Sequence, residues 1–346
     1  MKRRLLYIAV MAMFLSFFTN FGVSQYSLAA SAEKVITWKF QTAYPMTSGV
    51  TMHAVEWGKA MEKLTNGRLK VEVYPAGTFC SAAQMLTFLK RGTFDAAISY
   101  GGLYVGTIPE ANLEACMTMA HRSHFEVWDF LYARGFIDVI QDSYAKHGVH
   151  YWPAPCESHY GIMTNYPIKS IKDVKGKKFR ATGLMGKFLE KLGASVCVIP
   201  GSELYMAMKL GTIDGAIYGG GIFMSENLNE VTKCWVEYPY LGQTNGAFLV
   251  SQKSLDKLPA DLKAIVENST PYVLLESGNK FYKAALESVS QFEEKGVEVV
   301  RFPESEVKQM TAVAQGFWDE LSQVNEACAK GVELLKQQMR DYGRLD

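Results

Sequence analysis

The sequence predicts an α/β protein of two similar lobes facing one cleft, and three observations carry that reading. A 13-residue stretch occurs twice: residues 90–102, KRGTFDAAISYGG, are echoed without a gap by residues 209–221, KLGTIDGAIYGGG, with eight identities. Each copy reads as the end of an amphipathic helix, a glycine suited to a left-handed C-cap, a short apolar strand and a glycine cluster. Short strands alternate with helices around both copies, the pattern of a parallel sheet. Finally, about 314 residues remain once an N-terminal leader is set aside, enough for two domains of ordinary size.

The elements follow in order. Residues 35–41 read as a strand, 42–48 as a loop and 50–64 as a helix closed by Asn66-Gly67, with a strand at 68–74 and a turn at Pro75-Ala76-Gly77. The first repeat supplies a helix at 83–89 and the strand after Gly92-Thr93. Residues 125–132 and 136–147 place apolar groups at helical spacing. A strand at 149–152 is followed by Pro153 and Pro155, read as closing that strand at an interdomain crossing. The second lobe then runs through strands at 159–163, 178–182 and 195–199, a helix at 185–192, and the second repeat with its helix at 204–208. Residues 235–240 with Pro239 read as the return crossing, and 246–251 as a strand back in the first lobe. The remainder reads as helices at 259–268, 271–295, 304–324 and 327–340. A helix of some 25 residues spans about 37 Å, long enough to cross both lobes. The expected division is 33–153 plus about 242–272 for the first lobe and 154–241 for the second. Residues 273–346 form a long hinge helix and C-terminal helices packed mainly on the second lobe.

The N-terminus reads as an export signal. Lys2, Arg3 and Arg4 precede an apolar run at 5–23 and small residues suited to cleavage near Ala30 or Ala32, so residues 1–32 are taken as a signal peptide. A retained anchor is the alternative, weakened by Ser16, Thr19, Asn20 and Gly22 inside the run. Without that leader the formal charge moves from +1 to about −2, a balance that points to neither nucleic acid nor an anionic membrane. The six cysteines are widely spaced with no C-x-x-C pair, and most read as small buried hydrophobes.

Familiar catalytic patterns are absent: no G-x-S-x-G, Walker loop, H-E-x-x-H or zinc-type cysteine cluster occurs. His121 and His124 have a spacing that suits either a metal pair or a solvated helix start, and no metal or cofactor is expected. Asp95 and Asp214 stand at strand starts, remote from the glycine clusters, and read as hydrogen-bonding caps rather than paired acid and base. Arg180 is different. It lies at the inner end of a strand, where its charge is costly to desolvate without a partner. Its planar fork suits a carboxylate, either a structural side chain or a ligand.

Residues 175–180 (KGKKFR), 191–194 (KLGA), 200–205 (PGSELY) and 211–215 (GTIDG) form an ordered set with 65–68 (TNGR), 73–77 (VYPAG) and 92–95 (GTFD). This set resembles the substrate-binding proteins of tripartite ATP-independent periplasmic (TRAP) transporters over residues 35–270. The resemblance implies a two-lobed periplasmic binding protein fold, with a central sheet flanked by helices in each lobe, hinge crossings and a long lobe-spanning helix. It implies capture of a small organic acid by hinge closure and delivery to membrane permease subunits, with an exported enzyme or ligand-sensing protein as the alternative. Arg180 takes the place of the family's carboxylate-binding arginine. Tyr100 and Tyr218, ahead of the glycine clusters, and His159 or Tyr160, before the Asn165 turn, take the places of further contacts, and Gly201 approaches the ligand. Family members that bind 2-oxo acids through a cation carry an acidic–aromatic pair where this chain has Ile217-Tyr218, which argues against that mode. Three tyrosines at the cleft favour a monocarboxylate with an apolar or aromatic body.

Overall fold

A computed structural model describes residues 34–345, apart from the side chains of residues 156–159, 244, 284 and 285. The leader reading at 1–32 lies outside the described residues. Ten strands carry the fold: β1 (Ile36–Thr42), β2 (Leu69–Tyr74), β3 (Ala96–Ser99), β4 (Val149–Thr164), β5 (Lys178–Arg180), β6 (Ser195–Cys197), β7 (Gly215–Gly219), β8 (Cys234–Tyr238), β9 (Gln243–Ser251) and β10 (Glu298–Arg301). The first sheet runs β2-β1-β3-β9-β4 and the second runs from β4 through β7 and β5 to β6, with β8 and β10 on the other side of β4. The helices are α1 (Thr51–Leu64), α2 (Met85–Arg91), α3 (Ala111–Ala115), α4 (His124–Trp128), α5 (Phe136–Ala145), α6 (Gly183–Lys191), α7 (Leu204–Lys209), α8 (Gln252–Asp256), α9 (Ala260–Ser290), α10 (Glu304–Ser322) and α11 (Glu326–Asp341).

The expected two-lobed α/β architecture is present, but the sheets are mixed rather than parallel. β1 pairs β2 and β3 in parallel, and β5 pairs β6 and β7 in parallel. β9 is antiparallel to β3 and β4, and β4 is antiparallel to β7. The proline-rich segment does not end its strand. β4 continues for 16 residues through Pro153 and Pro155 and belongs to both sheets. In the first sheet β4 is an edge strand, where a missing proline N–H costs no ladder bond on the outer side. The register shifts between Pro155 and His159, where the chain passes from one sheet to the other.

The two repeat aspartates act alike. The Asp95 carboxylate accepts the Lys39 N–H of β1 at 2.8 Å and the Ser254 hydroxyl at 2.6 Å. The Asp214 carboxylate accepts the Lys178 N–H of β5 at 2.8 Å. Each pins the start of its own strand to its parallel neighbour, at the opposite edge from the glycine clusters.

Pro271 does not divide the long helix: α9 runs 31 residues, about 46 Å, without a break. A proline inside a helix costs about 3 kcal/mol or more. Burial outweighs it here, because Val266, Thr270, Val273, Leu274, Ser277 and Phe281 form one buried stripe. Trp57 Nε1 donates to Thr270 Oγ1 at 2.9 Å, and His53 Nδ1 lies 2.6 Å from Ser277 Oγ, fastening α1 to that stripe. The C-terminal helices divide between the lobes, where the sequence reading placed them mainly on the second. Met310 and Ala314 of α10 join the second-lobe core with Phe179 and Phe188. Val332, Leu335 and Met339 of α11 instead pack with Phe130, Phe136 and Ile140 of the first lobe.

Candidate functional site

The parallel strands of both lobes end at one cavity of about 300 Å³. Tyr100 follows β3, Arg180 closes β5, Pro200 and Gly201 follow β6, and Tyr218 lies near the end of β7. Tyr160 comes from β4, opposite Gly219. Five of the six expected residues thus line one cavity: Arg180, Tyr100, Tyr160, Tyr218 and Gly201. The side chain of the sixth, His159, lies outside the described residues.

Arg180 is 6% exposed. Its Nε donates to the Ile199 carbonyl at 3.1 Å and its Nη1 to the Ile217 carbonyl at 3.3 Å, and the guanidinium lies 5.2 Å from the centre of the Tyr218 ring. Two of the five N–H donors are therefore engaged, both by neutral carbonyls. No described carboxylate forms an ion pair with it, whereas Arg68, Arg134, Arg301 and Arg344 all have one. Of the two partners left open for Arg180, the structural carboxylate is therefore not supplied by any described residue. A buried cation held only by dipoles and a ring face is a ready receptor for an anion.

The aromatic wall is set by close packing. Tyr100 and Tyr160 meet edge to face, with ring centres 6.1 Å apart. Burial pushes the Tyr100 hydroxyl well above its ordinary pKa, so it stays protonated. A Cβ at Gly102 would come within 2.2 Å of the Tyr100 ring, so the repeat's glycine makes room for that tyrosine. At Gly201 a Cβ would lie 2.2 Å from the Tyr218 hydroxyl. That hydroxyl donates to Glu226 Oε2 at 3.0 Å.

Residues that sequence reasoning missed complete the lining, among them Tyr44 and Leu103 from the first lobe and Val198, Ile199 and Ile222 from the second. Tyr44 sits in the loop after β1, and the ligand side of a parallel strand is its carboxyl end, a signal that pointed there. Glu226 carried no such signal. His121 proves structural: its Nε2 lies 2.9 Å from Gln338 Oε1, and burial lowers its pKa to about 4.

Residues 40–324 match the family model described as bacterial extracellular solute-binding protein, family 7. The chain belongs to that family. This family 7 protein is 28% identical over 251 residues to the monocarboxylate 2-oxoacid-binding periplasmic protein of a Nostoc species, a match spanning 71% of this chain and 68% of the relative. Its fold superposes with a TM-score of 0.82 on a TRAP periplasmic solute-binding protein from Colwellia psychrerythraea with bound calcium and pyruvate, at 20% identity over 90% of this chain and 96% of that one. A second such protein, from Rhodoferax ferrireducens with bound malonate, superposes with a TM-score of 0.79 at 20% identity, over 89% of this chain and all of that one (100%). The family is one of extracellular solute-binding proteins, and the relatives named here bind small carboxylates.

Ile217 turns its side chain into the second-lobe core and its carbonyl to Arg180. Among the described residues no cluster of three or more histidine, cysteine or acidic side chains could hold a metal.

Proposed function

We propose that this protein captures a small organic monocarboxylate between its lobes and hands it to the permease subunits of a TRAP transporter. The carboxylate meets Arg180, and Tyr100, Tyr160 and Tyr218 enclose its body, with Gly201 beside it. His159 enters only by its place next to Tyr160 in β4. The observation that supports this best is a buried arginine with no carboxylate partner among the described residues, facing an aromatic-walled cavity. Among the described residues Arg180 is the one cation in that lining, which matches one carboxylate. The volume suits a small acid. Capture without turnover is taken as its whole role, after export by the signal peptide at 1–32 and closure of 33–153 with about 242–272 against 154–241.

A thermal-shift panel of mono-, di-, keto- and aromatic acids tests the assignment. An acid at about a hundred times its dissociation constant adds about 2.7 kcal/mol of stability. Monocarboxylates with apolar or aromatic bodies are expected to stabilise the protein most. Arg180→Ala is expected to fold and to weaken the best acid by about 2 kcal/mol or more, roughly thirtyfold. Stabilisation by none of the acids, or native affinity in Arg180→Ala, overturns the reading. Consumption of the bound acid points to the enzyme instead.

A further inference from the structure

The duplication reaches one position further than the residues already placed at the site. Leu103 and Ile222 immediately follow the copies at 90–102 and 209–221, so the internal repeat makes them equivalent. Each ends a single 3-10 turn, Gly101–Leu103 after β3 and Gly220–Ile222 after β7. Both line the cavity, one from each lobe. Leu103 packs against the first-lobe core, and Ile222, 1% exposed, shares a core cluster with Phe223 and Trp235.

Both turns are fixed by hydrogen bonds. The Tyr104 N–H closes the first by donating to the Gly101 carbonyl at 2.8 Å, and the Tyr104 hydroxyl donates to Ser99 Oγ at 2.8 Å. In the second, the Gly220 carbonyl accepts the Ser288 hydroxyl of α9 at 3.3 Å. The Ile222 carbonyl accepts the Ser225 hydroxyl at 3.0 Å and the Glu226 N–H at 3.1 Å. Side chains carried on turns held this way are preorganised, so a ligand meets a wall already in place. That wall is hydrocarbon, and Val198, Ile199 and Pro200 extend it. Among the described residues of the lining, Ser81 is the one polar side chain besides Arg180 and the tyrosines, and its hydroxyl donates to Gln84 Oε1 at 2.9 Å.

We propose that Leu103 and Ile222 are a specificity-determining pair: they admit a plain alkyl or aryl body and reject one that carries a hydroxyl remote from the carboxylate. The pair's role rests on the carboxylate-capture reading and adds to it the side chains that choose among carboxylates. Arg180, Tyr160 and Tyr218 belong to strands and Tyr100 directly follows one, whereas Leu103 and Ile222 stand on the turns beyond. The charged end of a ligand is therefore held at the strand ends, and its body reaches the pair. A hydroxyl carried there exchanges water for methyl groups, at a cost of about tenfold or more in affinity. A hydrocarbon body gives up no hydrogen bond and gains by leaving water.

Calorimetric titration with phenylpropanoate and its para-hydroxylated analogue, which differ by one hydroxyl at the far end of the body, reads that choice. The wild type is expected to bind phenylpropanoate about tenfold or more tighter. Ile222→Thr and Leu103→Asn put a hydrogen-bonding group on the wall, and each is expected to narrow the ratio to about threefold or less. Ile222→Val keeps the wall hydrocarbon and is expected to keep the ratio. A wild-type ratio near one, binding of neither acid, or Ile222→Thr and Leu103→Asn proteins that retain the wild-type ratio overturns the pair. Arg180→Ala separates this from carboxylate capture. Loss of both acids in that variant leaves capture standing even where the ratio fails, and native binding of both removes capture and the pair together.

Discussion

Glu114 carries the most quantitative prediction in this molecule. It lies in α3 beneath the first glycine cluster, fully enclosed, with its carboxyl oxygens accepting from Tyr144 at 2.9 Å and Tyr151 at 3.0 Å. Asn245 Nδ2 approaches the second oxygen at 3.5 Å, and Asn245 Oδ1 is buried with no partner. Burial raises the Glu114 pKa from 4.5 to about 7, against the three hydrogen bonds. Above pH 4.5 the unfolded chain releases this proton while the folded protein holds it, so the group's contribution to stability falls as pH rises. The fall continues to about pH 7 and then levels, for a total of about 3 kcal/mol. Glu114→Gln removes the titration, keeps an acceptor for one tyrosine and places an N–H where Asn245 Oδ1 can accept it. Urea denaturation from about pH 5 to about pH 8 is therefore expected to show a wild-type stability that declines relative to the variant by about 2.5 kcal/mol. A wild-type-minus-variant difference that is flat across that range refutes the reasoning, whatever its absolute size.

Other expectations follow from single contacts. Gly201→Ala places a Cβ where the Tyr218 hydroxyl sits, and is expected to weaken acid binding roughly tenfold, measured by calorimetry, through loss of the Glu226 hydrogen bond and the ring's position over Arg180. Gly101→Ala puts a Cβ 1.8 Å from Glu114 Oε1 and is expected to lower the thermal midpoint, since the buried network must shift. Pro271→Ala restores a helical N–H in α9 and is expected to raise stability by up to about 3 kcal/mol in urea, with no effect on acid affinity.

Read without its tertiary structure, the chain already contained the duplicated helix–glycine–strand units, the structural duty of Asp95 and Asp214, and the arginine at the end of β5. These are local properties. Gly92 ends α2 in the left-handed conformation, and periodic burial marks each strand and helix within a few residues. The three tyrosines and Gly201 entered through the family resemblance and line one cavity, but why Gly201 must be small was not legible: it yields to a residue 17 positions away. Only the tertiary structure decided the rest. Whether β4 stops at Pro153 depends on its being an edge strand, and whether α9 survives Pro271 depends on the stripe it buries. Strand β10 and the seat of α11 on the first lobe depend on partners far along the chain. Glu226 is the sharpest case, since it belongs to no motif, yet its carboxylate accepts from the hydroxyl of Tyr218 in the cavity wall. Its importance arises only once the fold buries one carboxylate oxygen and sets the other against Tyr218, because a carboxylate withdrawn from water depends on the donors packed around it.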